Sequence, residues 1–600
     1  MRKIIFLLML LTVLVSVIAP FYLQTRYYSL ASPLKRFSSY EELVSFVNAS
    51  SQVRYYKDAW GFWSGSPSFL MQLWSSSSLG TRAQTESLTQ SLSVPSVRDH
   101  STTNIQVAGV DEADIVKTDG EYIYVISGKS VIILRAYPPE EVEILSQIQL
   151  NGTIKGTFVN GDRLVIVEEA SGTFARVYDI SDREKPDLKR PVSVNGSYFN
   201  SRMIGNYVYV VATHPARLAA NEVCLPLIRS GDHVKEIGAT DIYYSDIPDY
   251  SYKFATILAV NVQNDDEEPS HMTFMLGAAH CMYVSLGNIY ITLPEGIDTL
   301  IYRFHIEGTE IEYVADGGVP GCVLNQFSMD EHEGYFRIAT TIGQVWSSET
   351  PSQNNLYILD MDLNIVGSLE NLAPGERIYS ARFWGDRCYL VTFKKVDPLF
   401  VINLEDPTNP TVLGQLKITG YSDYLHPYDE NHVIGIGKET VAAEWGDFAW
   451  YQGVKISLFD VSDVENPKEL AKYEIGDRGT DSPVLRDHKA FLFDKTRNLL
   501  VMPVRVAEIN EEKYPNGVPP NTSGDYVWQG AYVFNMTLDQ GLVLKGRITH
   551  LENDGGYYFS SLYSVKRSLY IDNVLYTISD KKIKMNNLED LTEVNEVELP

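Results

Sequence analysis

The sequence predicts an all-β fold: a β-propeller of eight or nine four-stranded blades, preceded by an N-terminal transmembrane helix and a short, partly helical stalk. Three observations carry this prediction. First, a phrase of polar turn and apolar strand returns in order along the chain. It reads Asp119-Gly120-Glu121-Tyr122-Ile123-Tyr124-Val125, then Gly161-Asp162-Arg163-Leu164-Val165-Ile166-Val167, then Gly205-Asn206-Tyr207-Val208-Tyr209-Val210-Val211. It recurs at Gly287-Asn288-Ile289-Tyr290-Ile291 and Gly385-Asp386-Arg387-Cys388-Tyr389-Leu390-Val391. A self-similar unit of roughly forty to fifty residues built from short strands signals a radial or solenoidal array. Second, the 38 tyrosines fall mainly in the strand-like runs, and aromatic side chains suit a pleated, half-buried surface. Third, Arg2 and Lys3 precede Ile4 to Leu23, twenty residues without a charge.

Taken in order, residues 1–24 read as a signal-anchor or transmembrane segment, because twenty apolar residues can cross a bilayer core of about 30 Å. Cleavage is disfavoured: the small-residue site Val17-Ile18-Ala19 is followed by Pro20. Residues 25–103 read as a juxtamembrane stalk. In it Ser39-Tyr40-Glu41-Glu42 has capping-box spacing and opens a short helix through about Val47. Residues 63–103 are rich in Ser and Thr, and Trp60, Phe62, Trp63 and Trp74 form an aromatic group for packing on the body or the lipid interface.

The propeller is assigned to 104–600. Nine units are counted from turns near Gly120, Gly161, Gly205, Gly287, Gly334, Gly385, Asn431, Asn498 and Asn573. Eight blades stay open if the first or last unit is shared between the termini. In the sixth unit the strands fall near Tyr379–Phe383, Cys388–Phe393, Leu399–Asn403 and Val412–Ile418. Such a sheet cannot bury both faces alone, and stacking around an axis buries them. The second half of the unit ends in Asp179-Ile180-Ser181-Asp182-x-x-x-Pro186, Asn403-Leu404-Glu405-Asp406-x-x-x-Pro410 and Asp460-Val461-Ser462-Asp463-x-x-x-Pro467. Asp and Ser hold turns and Pro cannot donate to a ladder, so these are read as structural turns between third and fourth strands. Inserts interrupt the period from His214 to about Lys253 and from Val506 to Gln529.

Several stretches have a further resemblance. Asn104-Ile105-Gln106-Val107-Ala108-Gly109-Val110-Asp111-Glu112-Ala113-Asp114-Ile115-Val116-Lys117-Thr118-Asp119-Gly120 is one, and Asp397-Pro398-Leu399-Phe400-Val401-Ile402-Asn403 another. Ser422-Asp423-Tyr424-Leu425-His426-Pro427-Tyr428-Asp429-Glu430-Asn431 is a third. They resemble exported prokaryotic proteins with a C-terminal β-propeller domain distantly related to WD40 repeats, over about residues 104–600. The resemblance implies a propeller outside the membrane and supplies no site residues.

The net charge of −27 argues against nucleic acid as a partner, since phosphate binding needs a cationic footprint. The four cysteines, Cys224, Cys281, Cys322 and Cys388, contain no C-x-x-C pair. In an exported protein they allow one or two disulfides, while Cys281 and Cys388 equally suit buried strand positions. Sequons at Asn48, Asn151, Asn195, Asn521 and Asn535 permit glycosylation.

No G-x-S-x-G, H-E-x-x-H or phosphate-cradling glycine loop occurs, and no cofactor or metal ligand set is expected. Asp111, Glu112, Asp114 and Asp119 are carboxylates suited to a hard cation or to capping turns where the ring closes, and the turn reading is preferred. His426-Pro427-Tyr428-Asp429-Glu430-Asn431-His432 is read as a polar turn rather than a zinc or proton-transfer site. Tyr243 and Tyr244, with Tyr250 and Tyr252, sit in the larger insert and are the candidate binding residues, because tyrosine offers apolar area with a hydroxyl. The function expected is recognition of a protein, peptide or glycan by a membrane-anchored, extracytoplasmic propeller. The alternatives are an enzyme using the axial funnel (a quinoprotein-like oxidoreductase, lyase or hydrolase) and a structural cell-envelope protein.

Overall fold

Short apolar strands joined by tight turns pair antiparallel with their sequence neighbours throughout this protein. The computed structural model describes residues 33–49 and 98–600, except 221, 247–251, 278, 346–350, 395–396, 445, 447 and 552–560. Among the described residues nine sheets of four or more strands follow one another, spanning 116–149, 153–194, 197–276, 281–320, 329–372, 377–418, 421–475, 492–548 and 567–598. They are blades one to nine of a propeller. In blade six the strands are Arg387–Phe393, flanked by Arg377–Trp384 inside and then Asp397–Asn403 and Thr411–Ile418 outside, close to the positions expected from the repeat.

Each blade meets the next through its own apolar core. Tyr124, Ile133, Leu164 and Ile166 join blades one and two, and Leu390, Ile402, Ala339 and Ile358 join six and five. The ring closes where Ile123, Val125 and Leu134 of blade one meet Leu569, Ile571 and Tyr576 of blade nine. No strand is shared between the first and last blades, each of which is contiguous in sequence. Middle strands are buried on both faces, as in Leu164–Val167, and so read as continuous apolar runs. Outermost strands alternate, as Lys468–Ile475 does, with every second side chain in water. Turn glycines such as Gly161 (φ +57°) and Gly385 (φ +51°) adopt the left-handed region, which costs glycine little. The Asp-x-Ser turns behave as the sequence suggests: Asp179 accepts from the Ser181 amide and hydroxyl at 2.9 and 2.7 Å, and Asp460 accepts from the Ser462 amide at 2.9 Å.

Connections between first and second, and third and fourth, strands lie on one rim, here the turn face. Second-to-third connections and blade-to-blade crossings lie on the other, the loop face. All the longer inserts project from the loop face: 216–252 in blade three and 509–524 in blade eight, with a protruding hairpin in blade seven built on His432–Ala442 and Ala449–Asp460. Part of blade three's insert, Leu227–Ser230 and His233–Glu236, extends the outer edge of blade two.

Three expectations are corrected. Among the described residues no helix is long and apolar enough to cross a membrane, so the structure shows the all-β propeller and does not show the expected transmembrane helix; the segment 1–24 on which it was placed lies outside the described residues, as do Trp60, Phe62, Trp63 and Trp74. The helix expected from Ser39 is present over 40–49, with the Ser39 hydroxyl accepting from the Glu42 amide at 3.3 Å. It does not stand apart as a stalk, however: Phe37, Leu43 and Val47 are buried in the core of blade three, because an amphipathic helix gains most by covering an apolar surface. Last, Cys224, Cys281, Cys322 and Cys388 are all free thiols. Cys281 and Cys388 are buried in strands, where burial pushes both thiols up to about 12 and they act as small apolar side chains.

Buried histidine makes the fold acid-sensitive. His550 is 2% exposed and bonded through Nδ1 to Ser579 and Nε2 to Thr577 at 3.0 and 2.9 Å. Burial pushes it down to about 3. Its folded value lies below the unfolded one of about 6.5, so its contribution is intact above pH ~6.5 and is lost as pH falls toward 3, by up to ~1.4 kcal/mol per unit. Thermal melts between pH 8 and 4 should show this decline, and His550→Gln should flatten it relative to the parent.

Candidate functional site

The tyrosines singled out from the sequence are largely covered by the chain itself. Lys35–Arg36 pairs with Tyr243–Tyr244 as an added strand at the outer edge of blade three. Tyr244 is buried and its ring stacks on Phe37 at 3.9 Å and 7°. The Arg36 guanidinium lies 4.6 Å over the Tyr243 ring and donates to its hydroxyl at 2.6 Å. Tyr252 is buried against the helix through Phe46, and Tyr250 lies outside the described residues. The insert is therefore packed by segment 33–49, which the sequence did not pair with it.

The carboxylates near residue 112 belong to a strap along the propeller axis. Ser101 donates to Tyr570 O of blade nine at 3.0 Å, and Asn104 reaches Tyr424 of blade seven and the carbonyls of His488 and Phe491 leading into blade eight. Gln106 donates to Gln326 O and Met329 O at blade five. Val110–Glu112 then pairs with Arg202–Ile204 as an extra inner strand of blade three, and Asp114 bridges Thr157 of blade two. The chain next turns into Val116–Thr118, the inner strand of blade one.

This route lays carboxylates against cations from distant blades. Asp114 accepts from Arg567 Nε at 3.0 Å and Nη2 at 2.8 Å, and Arg567 also pairs with Asp487. Glu112 lies 3.4 Å from His488 Nε2 and 3.8 Å from Arg202, and accepts from Gln326 at 3.2 Å. Burial pushes the Glu112 carboxyl up, but the Arg202 guanidinium, aided by the His488 N–H facing it, outweighs this and holds it well below the usual range. Burial pushes His488 down to about 3, keeping it neutral. Asp111 takes Lys117 Nζ at 2.7 Å, and Asp119 takes the Tyr124 hydroxyl at 2.8 Å. Ionisable groups thus converge at the axis and bond to each other. His426 and His432 separate: His426 is buried beside the Tyr424 hydroxyl at 3.0 Å, while His432 sits 2.7 Å from Asp429 at the turn. Among the described residues His332, Glu333 and Asp386 on the turn face are spaced for a cation. His332 Nε2 lies 3.3 Å from Asp386 there, an exposed ion-pair geometry.

A third cluster sits on the loop face between blades six, seven and eight. Tyr379 and Phe393 of blade six and Tyr421 of blade seven pack with centroids 4.6 to 5.4 Å apart. Tyr451, on blade seven's protruding hairpin, stacks edge-on to Tyr421 at 5.1 Å, and its hydroxyl is 3.0 Å from that of Tyr379. Tyr421 and Phe393 form the buried floor, whereas Tyr451 is 39% exposed. Guanidinium groups cover ring faces: Arg377 at 4.7 Å over Tyr379, and Arg478 at 5.2 Å over the neighbouring Trp450. Arg478 also donates to Tyr451 O at 2.9 Å, and Gln452 to Pro520 O of the blade-eight insert at 3.0 Å. Such rings combine apolar area, a polar hydroxyl and low ordering cost, the composition of binding hot spots. Sequence reading missed this cluster because its members come from three blades; its one signal was the insert after Val506.

A family model described as "Beta propeller domain" matches residues 100–591. An uncharacterized protein of Methanocaldococcus jannaschii is 30% identical over 563 residues, covering 80% of each chain. One of Archaeoglobus fulgidus is 27% identical over 596 residues, covering 83% of this chain and 85% of that one. Among solved structures, Citrobacter koseri AztD is 11% identical with a TM-score of 0.35, covering 81% of this chain and 93% of that one. Kluyveromyces lactis Hsv2p is 10% identical with a TM-score of 0.31, covering 63% and 98%.

Proposed function

Because this chain belongs to the beta propeller domain family, we propose that it is a recognition scaffold that binds a protein, peptide or glycan through its loop face, outside the cytoplasm. The observation that carries this reading is the exposed Tyr379–Tyr451 cluster with its stacked guanidiniums, on the rim where all the long inserts project. Loops displayed on a rigid scaffold are the usual carriers of binding. The axis supports the same choice: its charged groups bond to one another through the strap, which favours a load-bearing core there over an open reaction centre. The uncharged run after Arg2 and Lys3 supports the extracytoplasmic location. Labelling of intact cells with a membrane-impermeant amine reagent tests it: modification of the body is expected, and protection until lysis would contradict it.

Binding is tested by capture of solubilised cell-envelope material on the immobilised full chain. The Tyr379→Ala/Tyr451→Ala double variant should lose at least ~90% of the captured material, as expected when a hot spot worth about 1.4 kcal/mol or more is removed. Glu405→Ala, exposed on the opposite face, should capture as the parent does. Equal capture by all three proteins would contradict the reading.

A further inference from the structure

We propose that the loop-face cluster of aromatic rings and arginines between blades six, seven and eight binds an acidic glycan, a sugar chain carrying carboxylates of the uronate type. This rests on the recognition reading above and names the ligand class of the same face. Three observations converge. The exposed ring of Tyr451, with the half-buried rings of Tyr379 and Trp450 beside it, offers flat apolar surface next to hydroxyls, which suits the mixed apolar and hydroxylated faces of a sugar ring. Arginines gather at the same place: Arg377 and Arg478 lie over the rings, and Arg486 projects from the adjacent crossing with its side chain 52% exposed. A guanidinium is the side chain best shaped for a carboxylate, which it can hold through two parallel hydrogen bonds.

Third, this concentration of cations occurs in a chain of net charge −27. A cationic peptide would find carboxylates over most of such a surface and gain nothing particular here. An anion would be repelled elsewhere and drawn to this cluster, so local charge sets the specificity. Two acids lie nearby and offset part of this charge. Asp481 is paired with Arg486 at 2.8 Å and lies 3.7 Å from Lys438. Burial pushes the Asp423 carboxyl up to about 7, despite Lys438 and Arg486 nearby. The rings and guanidiniums are held in place before a ligand arrives, by Tyr421 and Phe393 beneath and by the Arg478–Tyr451 carbonyl bond, which lowers the ordering cost of binding.

The test is titration calorimetry of the full chain at low salt with a short oligogalacturonate, its methyl-esterified form and inorganic polyphosphate. The acid form should bind, with affinity reduced about tenfold or more for the ester and for Arg478→Ala and Tyr451→Ala, a loss of ~1.4 kcal/mol. Glu405→Ala should bind as the parent does, and melting temperatures show that each variant is folded. Absence of binding, equal binding of the ester, equal binding of polyphosphate, or unchanged affinity in both folded cluster variants would each overturn the proposal. If oligogalacturonate fails while envelope capture still depends on Tyr379 and Tyr451, the glycan assignment falls alone. If that dependence is also absent, the recognition reading falls with it.

Discussion

Arg567→Ala is expected to lower the unfolding free energy by about 3–5 kcal/mol, the cost typical of removing one partner from a buried ion pair. Arg567 is 5% exposed and Asp114 4%, so the pair lies away from bulk solvent. In the native protein Arg567 lies between two carboxylates, Asp114 of the strap and Asp487 at the lead-in to blade eight. Truncation removes the shared cation and leaves two negative groups facing each other. Asp487 keeps Lys489 at 3.0 Å, so Asp114 is the group that loses its directly bonded cation, with only the more distant Lys489 acting on it. Asp114→Asn in the same background should restore part of the loss, because it removes the uncompensated charge. Urea unfolding of the single and double variants measures both effects. Arg567→Ala with parental stability would show that the strap is not anchored to blade nine in this way.

Tyr576→Ala is expected to cost a further class of contact, about 3–5 kcal/mol from truncating a large aromatic side chain in a packed core. Tyr576 is fully buried at the seam where the ring closes, and its hydroxyl donates to Ala136 O of blade one at 2.6 Å. No shared strand covers that seam, so side-chain packing, the His100–Ile571 bridge and the strap hold it. Tyr576→Phe keeps the ring and should cost only about 1–3 kcal/mol for the carbonyl left unpaired. Hydrogen exchange should localise the Ala variant's loss to blades one and nine. Loss spread evenly around the ring would contradict a seam closed by these residues.

The repeated phrase made the scaffold legible because turn chemistry is local. Gly161, Gly385 and the Asp179–Ser181 turn act through their own backbone, so their meaning survives in a linear reading. Strand limits in blade six were readable for the same reason. What depends on bringing distant residues together was not. Asp114 and Arg567 lie 453 positions apart, and nothing near Asp114 announces a guanidinium rather than a cation or a capped turn. The turn reading of Asp111 to Asp119 holds at Asp119, which accepts from the Glu121 and Tyr122 amides at 3.1 and 2.8 Å, whereas Glu112 and Asp114 lie against cations along the axis. Tyr243 and Tyr244 had the composition of a binding loop, and their exposure was decided by Phe37 and Arg36 from a segment read as a separate stalk. The cluster that replaces them is assembled from blades six, seven and eight, whose rings lie far apart in sequence and meet only when successive blades stack. Cys281 and Cys388 take the buried strand positions that their apolar neighbours in the sequence suggested, since a strand's apolar run is again a local signal.

The most direct test of the central claim is a solvent-accessibility footprint of the full chain, with and without solubilised envelope material bound. Recognition through the loop face predicts protection at Arg377 and Tyr379, around Trp450 and Tyr451, and at Arg478, with the turn face unchanged. Protection confined to turn-face segments such as 404–410 and 332–334, with the Tyr379–Tyr451 cluster as accessible as in the free protein, would contradict it.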